Sequence, residues 1–162
     1  MNPGSRRPNV LILYTDQQRW DTLGSNGNQE IITPRLDRLA SEGVGFRRHF
    51  VQNPVCMPSR VSFLTGQYPS RLGITHMAVP VAEDTVTAAS LFNRSGYRCA
   101  NLGKLHFLPH ANRDHREMHP SYGFDHLSIS DEPGCYPDAY HAWVSRVAPD
   151  HVDQISVGLP PD

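Results

Sequence analysis

Cys56, Met57, Pro58, Ser59 and Arg60, with Leu64, Thr65 and Gly66 after them, gather a thiol, a proline and a guanidinium in one short stretch. Proline is tolerated in the first turn of a helix, where no intrahelical N–H bond is lost, so Pro58 marks a helix opening. Cys56 then lies near the N-cap, among backbone N–H groups that the helix leaves unsatisfied and at the positive end of its dipole. Such an end suits an anion and acidifies a thiol. Arg60 follows four residues later and falls on the same helical face. The expected chemistry is anion binding with a reactive side chain at the mouth of the site.

Two further positions carry chemistry. Of the 15 lysines and arginines, Lys104 is the sole lysine, inside Gly103, Lys104, Leu105 and His106. A chain that otherwise uses arginine has a compact point charge here instead of a planar fork. Asp16 and Gln17 close the apolar run at residues 9–15. Both offer oxygen atoms, which suit a hard cation.

The elements that must position these residues alternate. Residues 9–15 read as a strand buried on both faces, residues 44–51 as a second strand and residues 97–102 as a third. Between them, Thr33 and Pro34 start a helix with Leu36, Leu39 and Ala40 on one face and Gly43 as its stop. The Cys56 helix ends near Gly66, and residues 85–95 form another amphipathic helix stopped by Gly96. Residues 124–130 suit a strand and residues 137–147 a short helix. This alternation predicts an α/β fold with a mostly parallel sheet flanked by helices. Ligands of such sheets bind beyond the carboxyl ends of the strands, where Asp16 and Lys104 both fall.

Composition narrows the classes. At 162 residues the chain suffices for one domain with a core. A formal net charge of −1 gives no support for nucleic acid or an anionic membrane as partner. No apolar run approaches a membrane span. Cys56, Cys99 and Cys135 are an odd number without metal-site spacing, so no disulfide framework is expected. Residues 1–8 read as a flexible start without a secretory leader, and the cytoplasm is the expected location. The sequon Asn93, Arg94 and Ser95 then reads as chance. His110, His115 and His119 are read as solvated loop residues ahead of metal ligands, and residues 148–162 as irregular.

The run from Cys56 through Pro58, Ser59 and Arg60 to Thr65 and Gly66 resembles the signature of the type I sulfatases, in the alkaline phosphatase superfamily. Gln17 after Asp16, and Gly103 to Phe107 in form, are similar to the branch of choline sulfatases and phosphonate monoester hydrolases. The resemblance implies an alkaline-phosphatase-like fold, a Cys56 oxidised to formylglycine by a maturase, and a small-molecule sulfate ester as substrate. It implies a divalent metal, Ca²⁺ ahead of Mn²⁺ or Mg²⁺, held by Asp16, by Gln17 through its amide oxygen, and by the modified Cys56. Arg60 would hold the oxyanion, Lys104 the charge developing on the sulfuryl group, and His106 would assist expulsion of sulfate. Residues 33–40, Gly96 with Tyr97, and Tyr122 to Asp125 resemble family scaffold.

Sulfatases also carry a later acid paired with Asn or His, another histidine and a second lysine. Asp114 with His115, Asp125 with His126 and Asp150 with His151 come too early to match these. Residues 1–162 are therefore expected to form the N-terminal portion of a single catalytic domain, truncated or partial. A phosphonate or phosphate ester hydrolase, or an incomplete fragment that only binds anions, are the alternatives.

Overall fold

Prolines, caps and glycines set the helices. A computed structural model of the chain describes residues 7–110, 118–132 and 137–155; Cys135 and the Asp114–His115 pair lie outside them. The chain divides into two compact units, Met1–His49 and Phe50–Asp162.

In the first unit, helix α1 spans Pro34–Glu42, opened by proline and ended at Gly43 as its residues require. Thr33 and Asp37 tie it to the turn before it: the Gly24 N–H donates to Thr33 Oγ1 at 2.8 Å and the Ser25 N–H to Asp37 Oδ1 at 2.6 Å. The expected apolar face of α1 is not a core face, since no described residue of this unit is buried. Residues 9–15 and 44–51 are not strands. A parallel strand needs neighbours for its N–H and C=O groups and cover for both faces. Val10 to Leu13 lack that cover, with Leu11 81% exposed.

In the second unit, α2 runs Cys56–Thr65 and closes on Gly66, whose φ of 67° is the left-handed turn that glycine adopts without strain. A one-turn helix, α3 at Pro69–Leu72, follows. Helix α4, Ala88–Arg94, is shorter than expected because Thr87 and Ser90 form a reciprocal capping box that fixes its start. Strand β1, Ala100–Gly103, pairs in parallel with β2, His126–Ile129, in the register Gly103↔Ile129. Helix α5, Ala139–Val147, is capped by Asp138, which accepts the His141 N–H. A 3₁₀ turn at Pro149–His151 and a last turn, α6 at Val152–Ile155, order part of the segment expected to be irregular.

Met57 and Val61 stand four residues apart on α2 and enter a core with Ile74, Val81, Leu105, Phe107 and Tyr122. The segment after β1 therefore supplies both core and chemistry. Leu105 and Phe107 face the packed side chains, and Lys104 and His106 alternate with them.

Candidate active site

Cys56 is the first residue of α2, after Val55 at the N-cap. Val55 donates its N–H to Asn53 Oδ1 at 2.8 Å, and its carbonyl takes the Ser59 N–H at 3.0 Å. Half-buried Cys56 thus sits where the opening turn presents amides. Arg60, one turn on, is buried and donates from Nη1 to the Lys104 carbonyl at 2.8 Å. That bond joins the start of α2 to the end of β1, the two segments whose residue types suggested one site.

Lys104 Nζ lies 3.0 Å from Glu132 Oε1, with the lysine side chain largely covered. His106 is 2% exposed and has a φ of 53°, a conformation uncommon outside glycine. Its N–H and that of Leu105 both donate to Asp131 Oδ1, at 3.0 and 2.7 Å. The His106 ring stacks on His110 with centroids 3.9 Å apart, and its Nδ1 has no partner among the described residues. Burial, with the nearby His110, Lys104 and Arg60, pushes the His106 imidazole down to about 4 against the pull of Asp131, so it is neutral at pH 7. Burial of Asp131 favours its neutral form, but hydrogen bonding from His110 and the two amides outweighs this and holds its carboxyl below the usual value.

Asp131 and Glu132 are neighbours of the Lys104–His106 segment that sequence reasoning missed, and His110, expected to be a solvated loop residue, is instead 11% exposed and stacked on His106. The parallel register explains how the two acids arrive: Gly103↔Ile129 continued by two residues sets Asp131 level with Leu105. Two acids directly after an apolar strand were the available signal. His106, His110 and Glu132 place possible ligand atoms within 4.8 Å of one another. The stacked imidazoles lie 12° from parallel, so their in-plane lone pairs run side by side instead of converging on an ion.

Asp16 and Gln17 lie in the first unit, both exposed, Gln17 with a φ of 50°. A carboxylate beside an amide oxygen is a donor pair that fits a hard divalent cation. A cleft of about 290 Å³ in the second unit is lined by Gln52, Ser62, Phe63, Gly66, Gln67 and Tyr68, towards the far end of α2 from Cys56.

Residues 8–142 match the Sulfatase family model. The chain belongs to the sulfatase family. It is 33% identical over 147 residues to the steryl-sulfatase of Homo sapiens, covering 81% of this chain and 25% of that protein. The arylsulfatase of Clostridium perfringens is 33% identical over 162 residues, covering 94% of this chain and 33% of that protein. The solved phosphonate monoester hydrolase of Agrobacterium radiobacter superposes with a TM-score of 0.72 at 29% identity, over 89% of this chain and 30% of that one. The chain thus spans about a quarter to a third of the length of these relatives. Its two-stranded parallel sheet with flanking helices is part of their alkaline-phosphatase-like α/β fold.

Proposed function

We propose that this chain contributes the nucleophile and three charge-handling residues to a sulfuric ester hydrolase. The observation that carries the reading is the bond from Arg60 to the Lys104 carbonyl, which sets the motif helix beside the Lys104–His106 segment. Family membership supports it, since sulfatases generally work through a formylglycine and a divalent metal. Cys56 would be the residue that a maturase oxidises, and its hydrated aldehyde the nucleophile towards sulfur. Asp16 and Gln17 would offer the cation their oxygen atoms, with Ca²⁺ preferred to Mn²⁺ or Mg²⁺. Such an ion would supply neutralisation of charge on sulfate oxygens and acidification of the nucleophile.

The chain's own residues do the rest. Arg60, fixed by its carbonyl contact, holds a sulfate oxygen. Lys104, kept extended by Glu132, stabilises the charge that develops on the transferred group. Neutral His106 accepts the proton of the remaining hydroxyl, so that the C=O bond re-forms as the C–O bond to sulfate breaks. The substrate is a small-molecule sulfate ester. Among the described residues no helix is long and apolar enough to cross a membrane. Free thiols at Cys56 and Cys99 suit a reducing compartment, and we assign the cytoplasm.

The test is hydrolysis of an aryl sulfate after co-expression with a maturase, with aldehyde capture at residue 56 as a second readout. Cys56→Ala is expected to lose about a thousandfold or more in kcat/KM. Turnover that survives this change would end the formylglycine mechanism. The likeness to a phosphonate monoester hydrolase favours a second reading, hydrolysis of a phosphonate or phosphate ester with the same nucleophile. A higher kcat/KM on an aryl phosphonate monoester than on the sulfate would select it. Binding of sulfate without turnover of either ester would mark a chain that only binds anions.

A further inference from the structure

The carboxylate of Asp131 is enclosed, its side chain 1% exposed, yet it stands at the carboxyl end of β2 beside the proposed catalytic segment. One oxygen, Oδ1, takes two consecutive amides, those of Leu105 and His106. The other, Oδ2, faces His110 Nε2 at 3.7 Å, and the His110 ring lies flat against that of His106. His106 itself holds a left-handed φ of 53°. A non-glycine residue there is strained and persists only where its surroundings over-determine it.

Nothing else described binds the His106 amide. Two charge-assisted hydrogen bonds from one buried carboxylate are a strong restraint on a two-residue turn. We propose that Asp131 is a positioning residue for His106: it clamps the Leu105–His106 turn through its amides and so carries the imidazole beside Lys104 and Arg60. Its effect on rate rests on the sulfatase reading, whereas its effect on the imidazole does not. Asp131 touches no reacting atom and acts only through His106.

The test uses two substitutions with opposite consequences. Asp131→Asn keeps an oxygen that accepts both amides but removes the charge. Asp131→Ala removes the clamp. The side-chain resonances of His106, assigned with His106→Gln, are followed by NMR against pH, and aryl sulfate turnover is measured alongside. The groups facing His106 are His110, Asp131, Lys104 and Arg60, and of these only Asp131 favours its protonated form. Asp131→Asn should therefore move the His106 titration further down and keep kcat within about tenfold. Asp131→Ala should let the turn relax into water, move the titration up towards the ordinary 6.5, and lower kcat about a hundredfold with KM nearly unchanged.

A titration and a kcat unmoved in Asp131→Ala overturn the proposal. So does an Asn variant that loses as much kcat as the alanine, since charge and not the clamp would then matter. If Asp131→Ala does not fold, the Asn variant decides alone: a kcat loss of about a hundredfold overturns the proposal. A wild-type protein that turns over no sulfate while the two titrations move in opposite directions leaves the clamp standing and removes the sulfatase reading.

Discussion

His106 carries a measurable cost as a buried neutral histidine. Its folded-state value lies near 4 and an unfolded histidine near 6.5, so between those limits the unfolded chain binds more protons. Stability is therefore complete above about pH 6.5 and falls as pH drops to 4, by on the order of 3 kcal/mol. Asp131, held below its ordinary 3.8, adds a further loss of the same sign at still lower pH. Denaturant melts from pH 7 to 4 should show the first slope, and His106→Gln should flatten it. At this scale the sequence was legible where chemistry is local. Cys56, Arg60, Lys104 and His106 stand within two short motifs, and the bond from Arg60 to the Lys104 carbonyl joins those motifs as the pattern led one to expect. Asp131 and Glu132 were not legible because they meet Lys104 and His106 only through strand pairing, which no short motif encodes.

Among the elements, α4 and the turn after residue 120 are latched together. Thr87, fully buried, accepts the Ser90 N–H and donates its hydroxyl to the Tyr122 carbonyl at 2.6 Å. Asn93 Nδ2 donates to the Gly123 carbonyl at 2.6 Å. Thr87→Ala removes a helix cap and a buried hydrogen bond to the Tyr122 carbonyl, and should cost about 2 kcal/mol in chemical denaturation. Gly123 has a φ of 85°, and a Cβ there would come within 2.5 Å of the Ser90 backbone nitrogen. Gly123→Ala should therefore destabilise by more than about 2 kcal/mol, while Ser121→Ala, on the exposed side of the turn, should not. Helices were legible where Pro34 and Gly66 act within their own turn, whereas the Thr87 cap starts α4 at Ala88 instead of residue 85. The strands expected at 9–15 and 44–51 were not formed because an apolar run states only that burial would be favourable. Pairing partners must supply the hydrogen bonds.

Across the whole chain the apolar surface is unevenly covered. Leu102 on β1 is 74% exposed, and Leu11, Ile32, Val44, Phe46 and Phe50 are similarly open. A chain with this much uncovered apolar side chain should bind an apolar dye at neutral pH while its far-ultraviolet circular dichroism stays native-like. Leu102→Thr should reduce the dye signal without a change in that spectrum. A dye signal no higher than that of an ordinary folded protein would contradict the exposure seen in the structure. Two of the four expected strands form: residues 97–102 overlap β1 at all but Gly103, and residues 124–130 contain β2.

Pro58 has an effect beyond starting a helix. In the opening turn of α2, the Val55 amide is bonded to Asn53, the Ser59 amide to the Val55 carbonyl, and Pro58 has no N–H to give. Cys56 and Met57 are the donors left. A tetrahedral anion seated there can be gripped by the backbone at two oxygens at most, and its other two remain for side chains and water. Such a half-open cradle lets a spent anion exchange its ligands one at a time, which favours quick departure over tight retention.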